Sequence, residues 1–120
     1  MLLALIAASA IAVCPPPPAR RWHCVVDGDT LWWHGEKLRI AEIDAPELTG
    51  RCAAERRRAR AARDRLVALL DGHKLVIRRT GTDRFGRTLA QITSSGTSIG
   101  EQLLREGHAT RWPGRKDWCL

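Results

Sequence analysis

From Trp22 to Ile43 apolar and polar residues run in short β-prone stretches, and two turn signals divide them into strands. In "WHCVVDGDTLWW" two such stretches flank Asp27-Gly28, which predicts a hairpin near Trp22, because glycine accepts the positive φ that such a turn needs. His34-Gly35 predicts a second turn leading into "EKLRIAEI", where Leu38 and Ile40 alternate with Lys37 and Arg39 as on a half-buried third strand. From Cys52 the period changes. Ala59, Ala62, Leu66 and Leu69 recur at spacings of three and four, with Arg56, Arg57, Arg60 and Arg63 mostly off that stripe and Gly72 placed to end a helix. These arginines read as a solvated face partly neutralised by Glu55 and Asp64 rather than as a dedicated binding surface. "KLVIRR" and "RTLAQIT" are two further strands around the loop "TGTDRFGR". In "SIGEQLLREG", Ser98 and Glu101 have capping-box spacing, Ile99, Leu103 and Leu104 form a buried side, and Gly107 is the stop. Five short strands, with a helix after the third and another after the fifth, predict an α+β, mainly β domain that suits a small barrel.

The chain has 120 residues, 44% hydrophobic, enough for one core and not two. Residues 1–13 are read as a signal peptide or short N-terminal anchor, 14–21 as a stiff Pro-rich linker and 22–120 as the folded domain. The apolar run is too short to span a bilayer, and Ala8, Ser9 and Ala10 form a small-residue cleavage signature, although no Lys or Arg precedes them. This predicts export to the periplasm or medium, with tethering through the N-terminal segment as the alternative. A lipid on Cys14 is disfavoured by the bulk of Val13. The four cysteines, Cys14, Cys24, Cys52 and Cys119, form no CxxC pair and no zinc-ligand spacing with histidine, which points to disulfides. With Cys14 lost or modified, Cys24, Cys52 and Cys119 are the candidates; a bridge from Cys119 would tie down the C-terminus, and spacing alone does not choose its partner.

Twenty Lys and Arg against thirteen Asp and Glu give a formal charge of +7. Lysine occurs only at 37, 74 and 116, so arginine carries that charge, and a polyanion such as nucleic acid is the natural partner.

Four carboxylates, Asp27, Asp29, Asp44 and Glu47, lie on or beside two turns, and hard divalent cations such as Ca²⁺ take oxygen ligands of this kind. Each also has a duller reading: Asp27 can stabilise its own turn and Glu47, after Pro46, can cap a helix. Arg39, among apolar neighbours, must pair with an acid such as Glu42 or Asp44, or present its planar fork to a phosphate. Arg87 stands at the mouth of the next strand. Acids able to bind a metal beside two arginines are what phosphodiester hydrolysis requires: water is activated next to an anion, and charge growing on phosphorus is neutralised.

"VVDGDT", "RIAEIDAPE", "TDRFGRTLA" and "IGEQLLREGHA" follow one another in the order and at roughly the separations of the staphylococcal nuclease-like (thermonuclease) family, which the chain resembles over residues 22 to 112 or so. The resemblance implies a five-stranded OB-fold barrel with two packed helices, and a Ca²⁺-dependent nuclease of DNA and RNA that leaves 3′-phosphates. It implies Asp29, Asp44 and the carbonyl of Ala45 as Ca²⁺ ligands, with Arg39 and Arg87 as phosphate clamps. Glu47 becomes the general base or water-orienting carboxylate, Asp27 and Asp83 supports behind the residues that touch metal and phosphate, and Arg84, Phe85 and Trp112 substrate contacts. Arg39 and Asp44 do not share a strand face at period two, so the resemblance also implies a bend or bulge between them. The loop "LTGR" is shorter than the family's mobile loop, and the family's last long helix has no counterpart before Leu120, where a Cys119 disulfide could serve as a staple. No obligate protein partner is expected and the chain is read as a monomer. The rival classes are an inactive OB-fold module that only binds nucleic acid or methylated peptides, and an envelope domain that uses Ca²⁺ for stability.

Overall fold

The computed structural model describes residues 10–120, so most of the expected leader lies outside the described residues. In chain order the elements are β1 (Ala12–Val13), β2 (Cys24–Asp27), β3 (Thr30–Trp33), β4 (Glu36–Ile40), β5 (Ile43–Asp44), α1 (Ala53–Leu70), β6 (Leu75–Thr82), β7 (Thr88–Ser94), β8 (Thr97–Ser98), α2 (Ile99–Arg105) and β9 (Thr110–Arg111). The five strands expected from the pattern are β2, β3, β4, β6 and β7.

β2 and β3 form the first hairpin, with Val25 opposite Leu31 and a register shift between Val25 and Asp27. Gly28 does not adopt the positive φ expected of it. What requires glycine there is space: a Cβ would lie 2.7 Å from Ala62 Cβ and 2.8 Å from Ala45 Cβ, so the turn touches both α1 and the loop after β5. Left-handed backbone occurs at the next turn, where His34 (φ 47°) and Gly35 (φ 81°) connect β3 to β4.

β4 pairs in parallel with β7, with Arg39 opposite Leu89, and β7 pairs antiparallel with β6. The sheet order β1-β2-β3-β4-β7-β6 leaves β1 and β6 at its ends, while β5 and β9 form a separate two-stranded ribbon. This mainly β, OB-like half-barrel gathers Val25, Leu31, Leu38, Ile40, Ala90 and Ile92 into one core.

Across that core lies α1, burying Ala59, Ala62, Leu66 and Leu70. The stripe therefore ends on Leu70, one turn beyond Leu66, and Leu69 is only half-buried. Arg56, Arg57 and Arg60 are exposed, as a solvated face should be. In α2 the Glu101 N–H donates to Ser98 Oγ at 3.2 Å. The reciprocal half of the capping box is replaced, because the Glu101 carboxylate takes two hydrogen bonds from Arg111 instead.

Packing begins upstream of Trp22. Ile11 belongs to the core, and β1 pairs in parallel with β2. All four cysteines are bonded, Cys14 to Cys24 and Cys52 to Cys119. Cys14, set aside in the three-cysteine reading, is therefore the partner of Cys24, and Cys119 ties the C-terminus to the start of α1. Among the described residues no helix is long and apolar enough to cross a membrane.

Candidate active site

After Ile40 the chain turns at Ala41-Glu42 and resumes as β5, which pairs with β9 through Ile43 opposite Arg111 and Asp44 opposite Thr110. This turn swings Asp44 to the side on which Arg39 points, a convergence that an unbroken strand forbids. The Arg39 side chain is nearly buried; its Nη2 lies 3.5 Å from Asp44 Oδ1 and 3.7 Å from Asp29 Oδ2. Nη1 donates to the Ile40 carbonyl at 3.2 Å. Both carboxylates stand farther away than a charge-assisted hydrogen bond of about 2.7–2.9 Å, so they hold the fork without saturating it. Glu42 is not a partner; it packs against Gly100 in the first turn of α2.

Asp29 is fixed by three neighbours. Thr30 Oγ1 donates to its Oδ1 at 2.8 Å, the Ala45 N–H donates to its Oδ2 at 2.9 Å, and its own N–H donates to Asp27 Oδ1 at 3.2 Å. Asp27 thus stabilises its turn and also faces the cleft. Glu47 caps no helix, since Cys52 is the N-cap of α1. Instead the Glu47 N–H donates to Glu55 Oε2 at 3.1 Å and its carbonyl accepts from the Gly50 N–H at 2.9 Å, so the first turn of α1 anchors the loop.

On the opposite wall Asp83 organises the loop between β6 and β7. Its Oδ1 accepts from the Phe85 and Arg87 N–H groups, and its Oδ2 accepts from Arg87 Nε at 2.7 Å. Arg87 is thereby pointed into the cleft. Phe85, 68% exposed, lies under the guanidinium groups of Arg84 at 4.8 Å and Arg87 at 5.5 Å. Trp112, 51% exposed, lies 5.0 Å below Arg39.

A cleft of about 690 Å³ is lined by every residue singled out from the sequence except Ala45 and the cysteines. Ala45 lines an adjoining cleft of about 610 Å³ that shares Asp44, Glu47, Trp112 and Arg115 with the first. Three residues to which the sequence assigned no role in the site belong here: Arg115, which lines both clefts, Thr30, which orients Asp29, and Glu55, which holds Glu47. Thr30 stands next to Asp29, and Glu55 stands three residues after Cys52, so neighbourhood was the available signal for each. Arg115 offered none.

The electrostatics follow from crowding. Burial, then the neighbouring Asp29, pushes the Asp27 carboxyl well above the usual carboxylate range. Asp44 is raised by burial and by Asp29, and Glu47 by burial and by Asp29, Asp44 and Glu55. Asp83 behaves oppositely: burial acts upward, but hydrogen bonds from Arg87 and Phe85 outweigh it and hold the carboxyl low. Acids short of positive charge thus line one cleft with two arginines whose donors are only partly taken up, a setting that can hold a cation and an anion side by side.

The profile of a family described as "Staphylococcal nuclease homologue" matches residues 37–117. Two proteins of Oryza sativa subsp. japonica, described as "Probable staphylococcal-like nuclease CAN3" and "Probable staphylococcal-like nuclease CAN2", are each 37% identical to the chain over 73 residues. That alignment covers 61% of this chain and only 18% of either relative.

Proposed function

The chain belongs to the staphylococcal nuclease family, and we propose that it is a nuclease that hydrolyses phosphodiester bonds of DNA, RNA or both, uses Ca²⁺ and leaves 3′-phosphate ends. The observation that carries this reading is the convergence of Arg39, Arg87 and Glu47 with Asp29 and Asp44 in one cleft. An inactive binding module would have no use for a crowded, half-buried carboxylate between two arginines.

The donor set fits a hard cation. Asp29 and Asp44 offer oxygen alone, and a divalent ion between them would relieve the repulsion that raises Asp44 and Glu47. Among the described residues no three His, Cys, Asp or Glu side chains form a complete ligand group, so the Ala45 carbonyl, water and substrate oxygens would complete the shell. Bound Ca²⁺ supplies positive charge beside the scissile phosphate and eases deprotonation of water.

The side chains account for the rest. Glu47, more basic than an ordinary carboxylate, takes a proton from water as the water oxygen attacks phosphorus. Arg39 and Arg87 donate to the non-bridging oxygens, where charge grows in the transition state. The bond from phosphorus to the 5′ oxygen breaks, that oxygen takes a proton from solvent water, Glu47 returns its proton to solvent, and the phosphate stays on the 3′ side. Asp83 keeps Arg87 aimed, and Glu55 keeps the Glu47 loop in place. Phe85 and Trp112 offer exposed rings for stacking, and Arg84 a further phosphate contact. The paired cysteines and the apolar leader with its small-residue signature support export of this nuclease from the reducing cytoplasm.

The test is hydrolysis of quenched fluorescent single-stranded DNA and RNA in Ca²⁺ and in chelator, by the native protein and by Glu47→Gln. Cleavage should require Ca²⁺ and fall by roughly 10²–10⁴ in the variant. Salt-sensitive binding without cleavage would refute the enzymatic reading and favour a binding module.

A further inference from the structure

Among the described residues, burial in the core starts at Ile11. Ala10 is exposed and outside any strand, whereas Ile11, the next residue, is 3% exposed and part of the core. Ala12 and Val13 then pair with Cys24 and Val25, and Cys14 is bonded to Cys24. The Ile11 nitrogen donates to Asp71 Oδ1 at 2.9 Å. Asp71 is the C-cap of α1, and the last turn of that helix carries no basic residue. A carboxylate therefore stands at the negative end of an eighteen-residue helix, the next cation in sequence being Lys74 beyond the cap.

The three residues before Ile11 are Ala8, Ser9 and Ala10, the small-x-small pattern that leader peptidases cut after. We infer that the Ala10–Ile11 bond is the maturation site, and that the α-ammonium group released at Ile11 pairs with Asp71 and caps the C-terminal end of α1. This inference rests on the export reading above. The step is a hydrolysis by a leader peptidase: water adds across the peptide bond, Ala10 leaves with the leader as a carboxylate, and the Ile11 amine takes up a proton. An α-amino group with an ordinary pKa of about 7.7–8.0 is mostly cationic at neutral pH. Cleavage thus turns a neutral N–H donor into a charged one where the last turn of the helix has no basic residue. The competing route, cleavage before a lipid-bearing Cys14, would consume the sulfur that bonds Cys24 and remove Ile11 from the core.

The chain is expressed with its own N-terminus in a bacterium with a periplasm, the fractions are separated, and the first residue is read by intact mass and N-terminal sequencing. An exported chain that begins at Ile11 supports the proposal. An exported chain that begins elsewhere overturns it and leaves export standing; an uncut chain retained inside overturns both. A second measurement isolates the ion pair. Asp71→Asn keeps the acceptor oxygen and removes the charge, so in the chain that begins at Ile11 it should lower Tm by about 2–4 °C. In the uncut chain, obtained with Ala10→Trp at an exposed position, the same substitution should leave Tm unchanged or raise it. Equal effects in both backgrounds would overturn the ammonium pairing.

Discussion

The Cys52–Cys119 bond makes a prediction whose size can be worked out. It closes a loop with a sequence separation of 67, and Cys14–Cys24 closes one of 10. On the loop-entropy argument the longer bridge stabilises the fold by about 4 kcal/mol and the shorter by about 3 kcal/mol. For a domain of this size, loss of the longer bridge should lower Tm by on the order of 15–20 °C. The variant of choice is Cys52→Ser with Cys119→Ser. Cys52 is also the N-cap of α1, its Sγ accepting from the Glu55 N–H at 3.3 Å, and serine is at least as good a cap. The double variant therefore removes the cross-link without removing the cap. Scanning calorimetry of the oxidised protein and of this variant gives the number, and Cys14→Ser with Cys24→Ser gives the comparison. A shift below about 5 °C, or a larger loss from the short loop than from the long one, would refute the reasoning.

Gly28→Ala should destabilise the fold by about 1–3 kcal/mol in urea titration, because neither Ala62 Cβ nor Ala45 Cβ can swing aside, and it should lower activity by displacing the loop between Asp44 and Glu47. In chelator, Tm should pass through a maximum in mild acid. Raised carboxyls such as Asp44 and Glu47 add stability as they protonate on going down from neutral pH, and depressed ones lose theirs only below the ordinary carboxylate range. The strongest depressed group is Glu106, held at about 2 by hydrogen bonds from Arg65 and Gln102, so its contribution is complete above about 4.5 and disappears as pH falls towards 2. A Tm rising steadily from pH 3 to 8 would contradict this account. Phe85→Ala should leave Tm within a degree or two and weaken binding of single-stranded oligonucleotides about fivefold or more, as loss of a stacking platform would.

Much of this architecture is local and was legible. The alternation around Leu38 and Ile40, the turn at His34-Gly35 and the stripe Ala59, Ala62, Leu66 are properties of neighbouring residues, and each formed as its period required. What escaped was decided by distant partners. The reason for Gly28 is Ala62 and Ala45, which no window around the turn contains. The burial of Leu70 ahead of Leu69 was local as well, since it stands one turn beyond Leu66, while Leu69 packs only partly buried against the core. Ile11–Val13 read as part of an apolar leader, since composition cannot distinguish a strand that docks from a segment that is discarded. In the cleft, family resemblance named the positions that converge; Arg115 and the anchoring role of Glu55 come from the segment after β9 and the start of α1, where motifs are silent.

The parallel junction of β4 with β7 has a kinetic meaning. Arg39 and Arg87 come together only when Leu38–Ile40 align with Thr88–Ala90, strands separated in the chain by all of α1 and β6. Closing so long a loop costs entropy before any contact rewards it, so this pairing is expected to form after the local hairpins. The cleft is therefore absent from any chain still emerging from the ribosome before β7, and from any intermediate in which only the first hairpins and α1 have formed.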